Sequence, residues 1–180
     1  MQMDFKTVLS TLLKSFEERR LRYGLMGGFA LGLWGVPRST VDLDFLVHRE
    51  DLDKIDKVMS GLGYERKFRS DNVSQYVASL KIFGEIDFLH AFRQASLEML
   101  ERAVEKSIFE GNLKIKVLKP EDLIGLKLQA IKNNPARKEQ DASDIKALAA
   151  AQQGRLDWTL IEEYAKILAA GDLIRELREE

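Results

Sequence analysis

Between Val41 and Val47 the chain reads VDLDFLV, which places two aspartates at alternate positions of an otherwise apolar run. Alternation over so short a run is the mark of a β-strand. Residues two apart on a strand point to one face, so the carboxylates of Asp42 and Asp44 are expected side by side, roughly 7 Å apart along the chain. Val41, Leu43, Phe45, Leu46 and Val47 suit an interior strand. Two like charges on such an element repel each other and cost stability unless a cation lies between them, and hard divalent cations take oxygen ligands in this arrangement. Taken alone, the pair also fits two solvated acids on an exposed strand face.

The surrounding residues narrow the choice. Gly27-Gly28 follows an apolar run and precedes a short helical pattern. Unobstructed backbone N–H groups at such a junction suit phosphate oxygens, and a tight turn is the other use for them. Arg38, four residues before Asp42, is placed to meet a phosphate, to neutralise the acid pair or to form a structural salt bridge. A third acid, Asp87, stands between Ile86 and Phe88 in GEIDFLH. If its strand pairs beside Val41–Val47, Asp87 joins the other two, and three carboxylates can hold two divalent ions with one left to accept a proton. Glu85 is the rival third acid and faces the same side; the apolar neighbours of Asp87 favour the latter.

Periodicity supplies the frame. Phe5, Val8, Leu9, Leu12, Leu13 and Phe16 predict an amphipathic helix over the first 20 residues. A short strand over Tyr23–Gly27 and a helix over Gly28–Trp34 follow, the latter stopped by Gly35 and Pro37. Glu50–Leu62 is helical in pattern, Ser74–Ile82 and Glu85–His90 form a hairpin through Gly84, Ser96–Lys106 is helical and Leu113–Leu118 is a strand. After Pro120, a good first helical residue, three or four helices are expected to the end of the chain, with breaks at Asn133-Asn134-Pro135, Gly154 and Gly171. The expectation is an α+β part over residues 1–119 and a helical part over residues 120–180.

The pattern GG-x(9)-R-[ST]-x-x-D-[LI]-D, with a third acid on a later strand, resembles the nucleotidyltransferase superfold shared by DNA polymerase β and the kanamycin-type nucleotidyltransferases. Within it, the sequence looks most like small bacterial proteins of the AbiEii toxin type and related uncharacterised transferases. The likeness runs from Tyr23 to Asp87 and continues more weakly through KPEDLIGLKLQAI, Arg137 and DASDIKAL. It implies a mixed β-sheet flanked by helices and a metal-dependent enzyme. That enzyme would transfer a nucleoside monophosphate from an NTP to an acceptor hydroxyl and release pyrophosphate. By the same resemblance Asp42, Asp44 and Asp87 bind Mg2+ or Mn2+, with Asp87 also the general base. Gly27 and Gly28 then cradle the phosphates, and Lys127 contacts one. Lys127 also fits a snorkelling surface lysine. Asp144 is placed to orient Lys127 or Arg137, or to complement the start of its helix. The family usually carries Ser or Thr after the glycines, whereas this chain has Phe29. A non-catalytic nucleotide-sensing or interaction module that keeps the fold is therefore the alternative.

Composition limits the chemistry further. The chain contains no cysteine and only two histidines, His48 and His90, so thiolate sites and His-rich metal sites are excluded. With 28 basic and 29 acidic residues, no overall field selects nucleic acid or membrane. The acceptor is left open among tRNA, a partner protein and a small molecule. Neither a signal peptide nor a spanning segment is expected, which points to a cytoplasmic protein without a membrane partner. The helical part is a candidate homodimer surface. His90 is a candidate substrate contact or a strand-end residue, and Phe29, Trp34 and Tyr76 are candidates for base stacking or for the core.

Overall fold

The computed structural model describes residues 3–179 and divides them into two compact units. The first comprises the chain up to Ala30 with Ser39–Leu118, and the second comprises Leu31–Arg38 with the chain from Lys119 onward. Among the described residues no helix is long and apolar enough to cross a membrane.

The first unit is built on seven strands. They are β1 (Tyr23–Met26), β2 (Leu43–His48), β3 (Tyr64–Arg69), β4 (Val73–Ala78), β5 (Glu85–Ala91), β6 (Val104–Ile108) and β7 (Leu113–Val117). They form one mixed sheet in the order β3-β4-β5-β2-β1-β7-β6, with β2 in its centre. The β2–β5 and β1–β7 pairs are parallel and the rest antiparallel. One face carries an aromatic core in which the ring of Phe45 stacks on Phe88 at 5.8 Å and meets Phe16 at 5.5 Å. Phe16 belongs to α1 (Phe5–Glu18), which starts where the Asp4 carboxylate accepts the Thr7 N–H. Positions 1 and 2 of the expected first helix lie outside the described residues. Beside α1 lies α3 (Leu52–Gly61), preceded by a 3-10 turn at Arg49–Asp51. On the other face, α4 (Gln94–Arg102) packs against β1, β2 and β5. The first unit also holds the start of α2 (Gly27–Leu33), which opens one residue earlier and closes one earlier than the expected Gly28–Trp34.

Four sequence expectations need correction. The helix expected over Ser96–Lys106 ends at Arg102, because Ala103 turns extended with a ψ of 137° and Val104–Ile108 pairs with β7. β3 was not expected at all: it is an edge strand of which only Tyr64 is buried, so YERKFR shows no apolar alternation. β4 stops at Ala78, and Lys81–Phe83 forms a 3-10 turn ahead of Gly84. β2 starts at Leu43, not Val41, which is 73% exposed.

The second unit holds α5 (Pro120–Asn133), α6 (Lys138–Ala151), α7 (Trp158–Leu168) and α8 (Gly171–Glu179). Pro120 opens α5, and the Asn134 side chain caps a 3-10 turn at Pro135–Arg137. α5 and α7 approach closely at Gly125, where a Cβ would lie 2.6 Å from the ring of Tyr164. The Tyr164 hydroxyl donates to the buried Asp122 at 2.6 Å.

Candidate active site

The pairing of β2 with β5 sets the site. Parallel register places Asp44 directly opposite Asp87, with Met26 of β1 beyond Asp44 and Gln75 of β4 beyond Asp87. These four residues form a row on the face opposite the aromatic core. Two positions further on, Leu89, Leu46 and Gly24 form the next row, roughly 7 Å away along the strands. Asp42 lies in the bend before β2, not on the strand as expected, and its Oδ1 accepts the Thr40 hydroxyl at 3.0 Å.

The electrostatics of the row are unfavourable without a partner. Asp87 is half-buried and its pKa is pushed from 3.8 up to about 6. Burial is the main cause, the charge of Glu85 adds to it, a hydrogen bond from Gln75 opposes it, and the charge of Asp42 adds again. Oδ1 of Asp87 is buried and accepts no hydrogen bond. Glu85, the rival third acid, also accepts a hydrogen bond from the Gln75 amide. Among the described residues no three His, Asp or Glu side chains gather closely enough to form a ready-made metal cage. The site is thus a facing carboxylate pair, Asp44 and Asp87, flanked by Asp42 and Glu85.

Gly27 fixes the approach of the chain to this pair. Its φ is +70°, and a Cβ built on it would overlap the Asp44 carboxylate, lying 2.7 Å from Cγ. Gly28 follows in the first turn of α2. Phe29, at the position where Ser or Thr is usual, packs against Phe5 of α1 with ring centroids 5.2 Å apart. It fills the layer beside the sheet.

The remaining candidates lie elsewhere. Arg38 and Lys127 are in the second unit, where both donate to Asp144. Asp144 therefore meets Lys127 as expected, while Arg137 pairs with Asp141. His90 is 4% exposed on the aromatic face, with its ring nitrogens against the Asp71 carbonyl and the Ser74 hydroxyl at 3.1 and 3.0 Å. Tyr76 is 3% exposed, bonded to Asp56 and set edge-on to Phe88, so it belongs to the core. Trp34 lies in the second unit, and its carbonyl accepts the Gln152 amide at 2.7 Å. Sequence reasoning missed Gln75 and Asp141. A polar residue at an alternating strand position and a second acid three residues before Asp144 were the available signals.

Comparison with known proteins bears on the family and the fold. A family model described as an uncharacterised nucleotidyltransferase matches residues 2–176. No curated protein sequence matches. The antibiotic-resistance factor ANT(2'')-Ia has a similar fold, with 15% identity, a TM-score of 0.69 and coverage of 94% of this chain and 96% of that one. The lincosamide antibiotic adenylyltransferase LnuA, solved with lincomycin bound, shows 16% identity, a TM-score of 0.59 and coverage of 84% and 99%. An antigenic nucleotidyltransferase-like protein from Paracoccidioides brasiliensis shows 18% identity, a TM-score of 0.56 and coverage of 97% and 92%.

Proposed function

The chain belongs to the nucleotidyltransferase family whose model spans it, and on that premise we propose that it moves a nucleoside monophosphate from an NTP to an acceptor hydroxyl, releasing pyrophosphate. The observation that carries this reading is the register of β2 with β5, which sets Asp44 against Asp87 on a half-buried face. Apolar burial gives no reason for two facing carboxylates, and structure without a cation leaves one oxygen of Asp87 unsatisfied.

The donor set fits a hard divalent cation: carboxylate oxygens, no sulfur, and an orphaned buried oxygen among them. Asp42, Asp44 and Asp87 would hold Mg2+ or Mn2+. When bound, such an ion supplies charge neutralisation for a phosphate chain and lowers the pKa of a coordinated hydroxyl. The chain's own residues do the rest. Asp87 takes the proton of the acceptor hydroxyl as that oxygen attacks the α-phosphorus and the bond to the leaving pyrophosphate breaks. Backbone N–H groups at Gly27 and Gly28 hold the phosphates. Because Gly27 bears no side chain, the chain comes close to Asp44 there. Positioning and electrostatics account for the catalysis.

A small hydroxylated molecule is the acceptor class that fits best. Asp42, Asp44, Glu85 and Asp87 make this face acidic, so a phosphate chain enters it only with a bound cation. Two structurally similar proteins are an antibiotic-resistance factor and an antibiotic adenylyltransferase. Incubation with each labelled NTP, Mg2+ and either a panel of aminoglycosides and lincosamides or a cell extract tests the proposal. Label is expected on a small molecule and lost in Asp42→Asn, Asp44→Asn and Asp87→Asn, each of which should stay folded. Full activity of Asp42→Asn with Mg2+ rules the mechanism out, and label on RNA or protein rules out the acceptor class.

A further inference from the structure

Within the first unit, a cavity of about 270 Å³ opens at the end of the sheet away from the carboxylate row. Arg49, Glu50 and Asp53 line it from the entry to α3, Arg69 and Asp71 from the β3–β4 turn, and His90 from β5. Arg49 stands five residues beyond Asp44, roughly 16 Å away at strand spacing. His90 faces the side of the sheet opposite Asp87. The volume falls below the roughly 300–1,000 Å³ of sites that take drug-sized ligands, so the occupant is a smaller molecule.

The wall is locked in place. Arg49 Nη2 and His90 Nδ1 both lie against the Asp71 carbonyl, at 2.9 and 3.1 Å. Burial lowers the pKa of His90 and keeps it a neutral strut. The Arg49 guanidinium also covers the Phe92 ring, 3.6 Å from its centroid. Both of these partners of Arg49 are uncharged, and among the described residues no carboxylate pairs with it. Arg69 reaches Asp56 at 2.9 Å but shares that one carboxylate with Arg66 at 2.7 Å. Of the acids, Glu50 and the neighbouring Asp51 are matched by Arg22 and Lys54. Asp53 and Asp71 are exposed, and among the described residues no cation pairs with either carboxylate. The lining thus offers two guanidiniums short of anions and two carboxylates short of cations. A simple anion gains from the first pair and is repelled by the second, and a simple cation meets the reverse. A ligand that carries both signs gains from both, and the braced wall lowers the ordering cost.

We propose that this cavity binds a free α-amino acid, with its carboxylate on Arg49 and Arg69 and its ammonium on Asp53 and Asp71. The site is separate from the carboxylate row and does not depend on the transferase reading. Thermal-shift measurements on the full chain with each common amino acid select the ligand. Calorimetry then compares that amino acid with its des-amino acid and its decarboxylated amine. One amino acid is expected to raise the melting temperature, and both analogues should bind about tenfold more weakly, as loss of one charge-assisted contact implies. Arg49→Gln should weaken the amino acid and the des-amino acid alike, about tenfold. Asp53→Asn should weaken the amino acid but not the des-amino acid, which has no ammonium to offer a carboxylate. Asp53 is exposed, so this variant keeps the test open if Arg49→Gln loosens the β3–β4 turn. Asp44→Asn should bind the amino acid unchanged. No stabilisation by any amino acid, a des-amino acid that binds as tightly as its parent, or unchanged binding in Arg49→Gln overturns the assignment. So does loss of binding in Asp44→Asn, which moves the ligand to the carboxylate row.

Discussion

Gly27 holds a φ of +70° at the junction of β1 and α2, in contact with the Asp44 carboxylate. Gly27→Ala must strain the backbone and displace that carboxylate together. The expected cost is about 1–2 kcal/mol of stability and a loss of about tenfold or more in transfer, read by urea melts and by the labelled-NTP assay on one preparation. The glycine was visible in the sequence as half of a Gly-Gly pair, but its reason was not, because only the fold brings Asp44 beneath it. Asp87 gives a second residue-scale prediction. Its pKa rises on folding from 3.8 to about 6, so its contribution to stability is complete below 3.8 and is lost as pH rises through 6. Asp87→Asn is therefore expected to stabilise the metal-free chain at pH 8 by about 1–2 kcal/mol, allowing for solvent screening of a half-exposed group. It should change nothing at pH 3.5. A destabilised Asp87→Asn at pH 8 contradicts the unfavourable charge assigned here.

At the scale of elements, the interior of the sheet could be read from the sequence and its edges could not. β2 and β5 carry alternating apolar residues that bury on one face, which fixes their register wherever that face is covered. β3 and β6 lie at the two ends of the sheet, where burial no longer shapes the sequence, and only the pairing with β4 and β7 defines them. An ion pair onto a buried carboxylate ties elements together where apolar pattern gives no signal. Asp51, 1% exposed at the turn into α3, accepts the Arg22 backbone N–H at 3.1 Å, its Nε at 2.9 Å, and Lys54 Nζ at 3.0 Å. Burial works to raise its pKa, but Arg22 and Lys54 outweigh burial and hold it at about 2. This contribution is present above pH 3.8 and is lost as pH falls through 2. Asp51→Asn should cost about 2–3 kcal/mol at pH 7, since the buried side chain gives up its charge-assisted hydrogen bonds from Arg22 and Lys54. The difference from wild type should shrink between pH 4 and pH 2 in denaturant melts.

Across the whole molecule, the net charge of −1 conceals a segregation that composition cannot show. The first unit places three carboxylates on one face of its sheet with Asp42 in the bend beside them, and the second gathers Arg38, Lys127 and Arg137 around two acids. Resemblance singled out the acids along the chain, but the opposing pair of Asp44 and Asp87 depends on a parallel register between strands separated by two others in sequence. Such a row costs global stability when no cation is bound, and any ion that binds only the folded state repays it by mass action. Mg2+ at about ten times its dissociation constant is expected to add about 1.4 kcal/mol, which for a chain of 180 residues raises Tm by about 3–5 °C. The gain should be present at pH 8, where Asp87 is ionised, and should fade toward pH 5, where it holds a proton. Asp44→Asn should abolish it at every pH, because one side of the facing pair is then neutral. Equal Mg2+-dependent gains at pH 5 and pH 8, or an undiminished gain in Asp44→Asn, would place the cation elsewhere on the chain and detach the carboxylate row from metal binding.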